Sequence, residues 1–265
     1  MDVAYKHEDS CYNSYEGYEF NDEEVRFLYS NKVRNFLIDK DETYKFRNDL
    51  YSLIQKSGFT PNQQLLIDLQ ALDKIHPGDL RDWRIGEAFA HVILEEHFNV
   101  RFYWNERRDV RNPKGNKPGA DLVGFIGIDD SVLFLFGEVK TSAENKYPPK
   151  VMTNKDGIEE QLINLIENSE KRMFLIQYLA NKTRSFDDTH PFKRDYKLAF
   201  ENYYNYSSSN NFQLIGILVR HKVKSDNKDV SKSYEKIKAK IDKAGLKLIA
   251  LYLPMPMEEF KSLLQ

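Results

Sequence analysis

Residues 119–141 read GADLVGFIGIDDSVLFLFGEVKT, and this stretch decides how the rest of the sequence is interpreted. Its two halves, 120–127 and 132–140, are rich in Val, Leu, Ile and Phe, which favour pleated strands. Asp129 and Asp130 separate the halves at the expected turn. The second half begins with five consecutive apolar residues, a pattern typical of a strand covered on both faces. The stretch therefore predicts a buried β-hairpin.

Three charged side chains lie near the ends of the two predicted strands. Centring the turn between the aspartates places Asp121 opposite Glu138, with their Cβ atoms about 5 Å apart on one face. Lys140 points to the same side as Glu138, because side chains alternate along a strand. Burying such charges costs several kcal/mol per ion unless they are paired or bound to metal. The three residues therefore indicate either a metal site or an ordinary ion pair at the sheet margin.

An acidic residue followed two positions later by a lysine is not informative by itself in so charged a sequence. The same spacing occurs at Glu144-Lys146, Asp195-Lys197, Asp226-Lys228 and Glu259-Lys261. Only Glu138-Val139-Lys140 both ends a long apolar strand and follows a strand with an aspartate at the mirrored position. The context of this triplet, rather than its pattern, favours a functional site.

Composition and missing motifs exclude several classes of protein. With 265 residues, 41% hydrophobic content and a formal net charge of -2, the chain can bury a sizeable core and is not markedly basic. Its single cysteine, Cys11, excludes an internal disulfide and a multi-cysteine metal site. The sequence has no HExxH, no glycine-rich phosphate loop with Lys-Ser/Thr and no GxSxG elbow. Because no apolar run approaches a membrane span, we expect a cytoplasmic protein without a membrane partner.

The first 78 residues differ in character from the rest. Residues 1–24 combine many acids with aromatic residues, which indicates a packed or partner-facing arm, or else a solvated terminus. Apolar residues then recur at helical spacing, which predicts helices over 23–38, 42–57 and 61–76. Thr60-Pro61 is the predicted start of the third helix, and Gly58 and Pro77-Gly78 are the predicted stops of the second and third. We therefore expect residues 1–78 to form an N-terminal acidic arm and helical region, and residues 79–265 to form the main domain.

Three segments around the hairpin supply further candidate residues. Asp79 is expected to cap a helix in which Glu87 lies near an apolar stripe, either as a surface charge or as a third ligand facing the hairpin. A basic loop before Asp121 either binds the phosphates of a nucleic acid or is merely solvated. Its cationic residues are Arg107, Arg108, Arg111, Lys114 and Lys117. Gln161, in the first turns of a later helix, either faces the site or is exposed.

The order of the remaining segments predicts the fold class. Residues 99–104 resemble an edge strand, and a long amphipathic helix is expected over 157–180. Two further apolar strands are predicted at 212–219 and 246–253, with a lysine-rich helix over 230–243 between them. Strands therefore alternate with helices, which is typical of an α/β protein.

A strand with Asp121, followed by a strand with Glu138-Val139-Lys140, resembles the core of the PD-(D/E)XK nuclease superfamily, best over residues 80–181. The resemblance implies a restriction-endonuclease-like core in which helices flank a mixed central sheet. It also implies that Asp121, Glu138 and the carbonyl of Val139 hold Mg²⁺ or Mn²⁺. In the same family pattern, Lys140 orients or activates the attacking water.

Two more residues match that pattern, and one departs from it. Glu87 matches the glutamate of the first core helix, a further metal or water contact. Gln161 matches a polar residue of the helix that follows the core strands. The proline of the family motif is displaced, because Ala120 directly precedes the aspartate and Pro118 lies earlier.

Over the whole chain, the helical N-terminal part and the ADLVGF and GEVKTS motifs are similar to the nuclease subunit of Hachiman anti-phage defence systems. That resemblance implies DNA as the substrate and a DNA helicase subunit of the same system as a restraining partner. Two other interpretations stay open. One is a noncatalytic, nuclease-like adaptor that docks a DNA-processing partner, and the other is a restriction-type endonuclease with a defined recognition sequence.

Overall fold

A seven-stranded mixed β-sheet forms the centre of the protein. The computed structural model describes residues 1–71, 74, 80–109, 119–205, 207 and 210–263, apart from the side chains of Leu66 and Arg107. The strand order is β1-β2-β7-β6-β5-β4-β3. The strands are β1 (Asp2–Ser10), β2 (Asn13–Glu19), β3 (Val100–Arg101), β4 (Leu122–Ile128), β5 (Ser131–Ser142), β6 (Phe212–His221) and β7 (Ala244–Leu253). Strands β2, β7, β6 and β5 are parallel, and β1, β4 and β3 join the two ends of this block antiparallel to their neighbours.

Helices cover both faces of the sheet, which confirms the expected α/β architecture with a mixed sheet flanked by helices. They are α1 (Asp22–Leu28), α2 (Arg34–Ile38), α3 (Lys40–Ser57), α4 (Gln63–Ala71), α5 (Asp82–His97), α6 (Lys150–Thr153), α7 (Ile158–Glu167), α8 (Ser169–Thr183), α9 (Pro191–Tyr204), α10 (Ser231–Lys238) and α11 (Met257–Ser262). A π-helical segment, Tyr29–Val33, joins α1 to α2 in the region of the first predicted helix. Within the described ranges, no helix is long and apolar enough to cross a membrane.

Each face of the sheet has its own hydrophobic core. One core contains residues of α1, α5 and α11 and includes Leu135 and Val139 of β5. The other contains residues of α7, α8, α9 and α10 and includes Phe134 and Phe136. Because successive side chains of a strand point to opposite faces, alternate residues of β5 enter different cores. This explains the uninterrupted apolar run in the sequence, since β5 is covered on both faces as predicted.

The N-terminal segment is packed: of residues 1–24, residues 2–10 and 13–19 form strands of the main sheet rather than a partner-facing arm or a solvated terminus. Strand β2 lies parallel to β7, and Oδ1 of Asn13 accepts a hydrogen bond from the N–H of Leu246, 233 positions away. The acidic character of β2 is tolerated because the buried Glu16 accepts hydrogen bonds from the hydroxyls of Ser14 and Tyr18. Strand β1 is an edge strand with mostly exposed side chains, so its polar residues need no buried partners.

Two predicted helix boundaries differ because asparagine side chains bond the free N–H groups at helix starts. Helix α4 begins two residues later than predicted, because Asn62 rather than Thr60 accepts a hydrogen bond from the N–H of Leu65. The helix predicted over 157–180 is divided into α7 and α8 at Asn168, whose side chain accepts from the N–H of Lys171. Local capping chemistry therefore overrides the continuous apolar spacing.

Some of the other predicted boundaries also differ: α10 ends at Lys238 rather than at residue 243, and β3 covers Val100–Arg101 rather than 99–104. The rest are either confirmed or not described. Gly58 ends α3 as predicted, with a left-handed φ of 65°. Helix α5 begins at Asp82 with Arg81 at the capping position. The predicted stop at Pro77-Gly78 and the predicted cap Asp79 lie outside the described residues, as does the proposed domain boundary after residue 78.

A fully buried ion pair joins β6 to the segment before α10. Nε of Arg220 lies 3.1 Å from Oδ2 of Asp229, and the hydroxyl of Tyr252 donates to the same oxygen at 2.9 Å. Burial raises the pKa of Asp229, while the charge of Arg220 and the Tyr252 hydrogen bond oppose that shift. The aspartate therefore depends on its partners to remain charged.

Asp229→Ala is expected to lower the free energy of unfolding by about 3–5 kcal/mol, because it leaves Arg220 charged, buried and unpaired. Chemical denaturation measures this change. The matched control is Lys228→Ala. It removes an exposed lysine whose ammonium lies 3.8 Å from Asp226, and it is expected to cost at most about 1 kcal/mol. Equal effects of the two substitutions would contradict a structural role for the buried pair.

Candidate active site

The hairpin of β4 and β5 has the register that the sequence predicts. Leu122 pairs with Gly137, which places Asp121 opposite Glu138 at the next position. The turn contains Asp129 with a left-handed φ of 50°, a conformation that aspartate tolerates in tight hairpin turns. The local pattern was therefore sufficient to place the two carboxylates side by side.

Asp121, Glu138 and Lys140 meet at the end of this hairpin. The ammonium of Lys140 lies 3.3 Å from Oε2 of Glu138 and 3.6 Å from Oδ2 of Asp121. The N–H of Val139 donates a hydrogen bond of 3.0 Å to the same Asp121 oxygen. Glu138 is only 4% exposed, whereas Asp121 and Lys140 are 26% and 27% exposed. The cluster thus has an inner side that is buried and an outer side that is open to solvent.

Burial and the neighbouring charges shift the pKa values of Glu138 and Lys140. The pKa of Glu138 is raised to about 8, first because burial disfavours the carboxylate and second because the negative Asp121 is adjacent; Lys140 opposes the shift. For Lys140, burial acts to lower the pKa, but the charges of Asp121 and Glu138 outweigh it and raise the pKa overall. One lysine is therefore insufficient to keep both carboxylates ionised at neutral pH.

The carboxylates of Asp121 and Glu138 fit a hard divalent cation, because they offer oxygen ligands on one face of a sheet and only one lysine faces the two acids. Among the described residues, no group of three or more His, Cys, Asp and Glu side chains is positioned to hold a metal ion. Asp121 and Glu138 therefore form a two-carboxylate site in this structure. The ligand roles of Asp121, Glu138, Glu87 and the Val139 carbonyl all stay predictions.

The side chains of Glu138 and Lys140 project to the face that also carries Phe134 and Phe136, by the alternation of the strand. Helix α7 packs on this face. It carries Gln161, which is partly buried and whose Oε1 accepts a hydrogen bond of 3.4 Å from Lys171. The structure thus places Gln161 on the helix that covers the site face, with its side chain engaged by a lysine of α8.

Glu87 lies on α5, which packs on the opposite face of β5. Its carboxylate is buried and accepts a hydrogen bond of 2.9 Å from Nη1 of Arg84. Arg84 was not predicted as a partner of Glu87, although a spacing of three residues is one at which helical side chains meet. The pair gives the buried carboxylate of Glu87 a cationic partner among the apolar residues of α5.

Helix α5 comes very close to β5 beside the site, because Gly86 has no side chain. A Cβ atom at Gly86 would lie 2.0 Å from Oγ1 of Thr141, the residue after Lys140. Gly86→Ala is therefore expected to displace the helix from the strand and to lower the free energy of unfolding by about 1–3 kcal/mol.

The double variant Gly86→Ala/Thr141→Ala is expected to recover most of that loss. Oγ1 of Thr141 is buried without a hydrogen-bond partner in the described part of the chain, so its removal sacrifices no such bond there. Chemical denaturation of both single variants and the double variant gives the coupling energy. Simple addition of the two single effects would contradict the contact.

The predicted nucleic-acid-binding loop is only partly described. Arg108 forms two hydrogen bonds with the carboxylate of Asp39, of 2.6 and 2.9 Å, and its guanidinium lies over the ring of Trp104 at 5.0 Å. Arg108 is thus engaged within the protein. Of the other cationic residues, Arg107 has an undescribed side chain, and Arg111, Lys114 and Lys117 lie outside the described residues.

Comparison with known proteins identifies the family of this chain. A search of curated proteins finds no match. The HamA family model matches residues 4–265, which is nearly the whole chain. HamA is the Hachiman defence protein family, so the match confirms the resemblance found over the whole sequence. The chain therefore belongs to the HamA family of Hachiman anti-phage defence proteins.

Proposed function

We propose that this HamA-family protein is a divalent-cation-dependent nuclease with a PD-(D/E)XK-like core that hydrolyses phosphodiester bonds in DNA. The observation that carries the proposal is the convergence of two carboxylates and a lysine at one end of a buried hairpin, with Lys140 at 3.3 Å from Glu138 and 3.6 Å from Asp121. Such a cluster is costly in a core unless a cation or a reaction requires it.

Asp121 and Glu138 would hold Mg²⁺ or Mn²⁺ together with the carbonyl of Val139. When bound, the cation polarises the phosphoryl group and lowers the pKa of a water molecule. The N–H of Val139 donates to Asp121 at 3.0 Å, which fixes the carboxylate at the open side of the hairpin. The pKa of Glu138 is raised because burial and the adjacent Asp121 disfavour its negative charge. A bound cation would therefore stabilise its carboxylate.

Lys140 would orient the attacking water and offset the negative charge that develops on the phosphoryl oxygens. Its pKa is raised by the two carboxylates despite its partial burial, so the side chain is an ammonium at neutral pH. This favours electrostatic stabilisation over a role as general base. Gln161, on the helix over the site face, is proposed as a supporting contact to metal, water or substrate. Glu87 is left out of this set, because α5 packs on the opposite face of β5 and Arg84 holds its carboxylate.

The proposed partner is a DNA helicase subunit of the same defence system, which would restrain the nuclease. Membership of the HamA family supports a multi-component defence system. Co-expression with the neighbouring gene product, followed by affinity purification through either chain, tests for the complex. Recovery of each chain alone under mild conditions would contradict the proposal.

The hydrolysis itself is tested with purified protein and DNA, both as the isolated chain and in its complex. The expected result is loss of intact DNA with Mg²⁺ or Mn²⁺ and no loss with EDTA. If neither form cleaves DNA with either cation, while the complex still assembles, the adaptor interpretation replaces the nuclease.

A further inference from the structure

Two loops meet at the carboxyl ends of the parallel strands β5 and β6. One covers residues 143–149, after β5, and the other covers residues 222–228, after β6. The candidate site opens at the same end of the sheet, because Asp121 directly precedes β4 and β4 runs antiparallel to β5. In open α/β sheets, ligands commonly bind at the carboxyl ends of the parallel strands. Both loops therefore lie where a substrate of the candidate site would approach.

The register of β5 and β6 sets the distance between the site and the loops. Lys140 pairs with Leu218, and Ser142 pairs with Arg220. Arg220 is thus offset from Lys140 by one strand and two residues, about 4.8 Å across the sheet and about 7 Å along it. Because paired residues and residues two apart point to one face, Arg220 is on the face of Glu138 and Lys140. Both strands end within one residue of this pair, so both loops start close to Lys140.

Side chains anchor the two loops to the sheet and to each other. Nη2 of the buried Arg220 donates a hydrogen bond of 3.1 Å to the carbonyl of Lys146, and its guanidinium lies 5.4 Å from the centre of the Tyr147 ring. The hydroxyl of Tyr147 donates a hydrogen bond of 2.9 Å to the carbonyl of Lys224. The backbones of Lys146 and Lys224 are therefore held in fixed positions beside the site face.

Lysines outnumber acids in these loops, and three of the lysines have no acidic partner. Residues 143–150 and 222–228 contain five lysines and two acids. Each acid is engaged, because Glu144 lies 3.8 Å from Lys150 and Asp226 lies 3.8 Å from Lys228. The other three lysines are exposed and form no ion pair with the part of the chain that the structure describes. We call them the lysine rim: Lys146, Lys222 and Lys224.

The lysine rim differs from other exposed lysines of the protein. Lys45 lies 4.0 Å from Glu42, Lys197 lies 3.9 Å from Glu201, and Lys240 lies 2.6 Å from Glu167. Those charges are offset locally, whereas the rim concentrates positive charge at one edge of a chain whose net charge is -2. Such a surface attracts a polyanion and supplies direct contacts to phosphates.

We propose that the lysine rim binds the phosphate backbone of DNA beside the candidate site. This inference rests on the proposed nuclease function and deepens it, because it names the surface that holds the substrate. The charges of one DNA strand are about 3.4 Å apart along the helix axis, so a strand cleaved at Lys140 reaches the rim within about two to four nucleotides. Contacts to phosphates carry no sequence information, so the rim binds DNA without sequence preference.

Binding of a fluorescently labelled DNA duplex in EDTA tests the lysine rim without requiring cleavage. The variant Lys146→Gln/Lys222→Gln/Lys224→Gln removes three positive charges and keeps the exposed side chains polar. We expect it to bind the duplex about 10- to 100-fold more weakly than wild type at about 0.1 M salt. The slope of log affinity against log salt concentration is expected to be smaller by about 2–3, because each phosphate contact contributes about 0.9. Fluorescence anisotropy over a series of salt concentrations measures both effects.

The matched control is Lys45→Gln/Lys197→Gln/Lys240→Gln, which removes the same number of charges from lysines that have acidic partners. Its DNA affinity and salt slope are expected to stay close to those of wild type. Thermal unfolding of both variants checks that the exposed substitutions are tolerated. Equal weakening by the two variants would show an effect of net charge and overturn the inference.

The remaining outcomes separate the inference from the proposed function. Weaker DNA binding by the rim variant alone, in a protein that cleaves no DNA with any cation, would support the rim and reject the nuclease. DNA cleavage by wild type combined with unchanged DNA binding by the rim variant would overturn the rim and leave the nuclease standing. Unchanged DNA binding combined with loss of the complex with the neighbouring gene product would also overturn it, and would assign these lysines to an acidic protein surface.

Discussion

Glu138→Gln and Lys140→Ala are each expected to lower cation-dependent DNA cleavage by a factor on the order of 10²–10³ or more, without unfolding the protein. Gln has nearly the volume of Glu but no negative charge, so Glu138→Gln removes a ligand for the cation without leaving a cavity. Lys140→Ala removes the positive charge that faces the developing charge on the phosphoryl oxygens. Rates of plasmid or oligonucleotide loss with Mg²⁺ measure both effects.

Stability distinguishes an active-site role from misfolding, because the two inactive variants are expected to shift it in opposite directions. In the absence of a cation, Glu138→Gln removes a side chain that must take up a proton on folding at neutral pH, because burial and then Asp121 raise its pKa to about 8, and it therefore raises the stability. Lys140→Ala removes the neighbour that lies 3.3 and 3.6 Å from these carboxylates and lowers the stability. Two inactive variants that are both less stable than wild type would point to a structural defect.

Lys228→Ala is the matched control for Lys140→Ala. Lys228 has the same acid-x-Lys spacing, and its ammonium lies 3.8 Å from Asp226, but the lysine side chain is exposed. Full cleavage by Lys228→Ala together with loss in Lys140→Ala would assign the effect to the cluster. Equal cleavage by wild type, Glu138→Gln and Lys140→Ala would reject the proposed chemistry.

The stability of the protein without a divalent cation is expected to fall as the pH rises from about 4.5 to about 8. Glu138 has a folded-state pKa of about 8, against 4.5 for the free side chain. Between these values the folded state retains a proton that the unfolded state has released, so raising the pH favours unfolding. The decrease is on the order of 2–5 kcal/mol and levels off above pH 8.

A divalent cation is expected to reverse this trend. It binds the folded state with both carboxylates ionised, so Mg²⁺ raises the melting temperature more at pH 8 than at pH 5, where protons compete. Thermal unfolding over this pH range, with Mg²⁺ and with EDTA, gives the comparison. Glu138→Gln is expected to show neither the pH dependence nor most of the Mg²⁺ effect. Identical profiles for wild type and Glu138→Gln would contradict the assignment of both to Glu138.

The parts of the fold that follow local patterns were predictable from the sequence. The apolar runs located the strands β5, β6 and β7, and the hairpin register followed from its turn at Asp129. Gly58 ended α3 as expected, because a left-handed residue favours glycine. Boundaries failed where side-chain capping decided the helix start, as at Asn62 and Asn168.

The parts of the fold that depend on distant contacts were not predictable in this way. The pairing of β2 with β7 joins residues more than two hundred positions apart, and the polar sequence of β2 concealed it. Strand propensity depends on the neighbours of a strand, which the sequence does not specify. The face of the sheet on which Glu87 lies was likewise decided by the packing of α5 against β5.

The sequence by itself determined the geometry of Asp121, Glu138 and Lys140, because one hairpin carries all three and its two-residue side-chain period fixes their common face. Only the tertiary structure decided what surrounds them. The burial that raises the pKa of Glu138, the buried partner of Glu87 and the close approach of α5 to β5 at Gly86 depend on packing between separate elements. Such packing is set by the volumes and contacts of many side chains together, and no single periodic pattern encodes it.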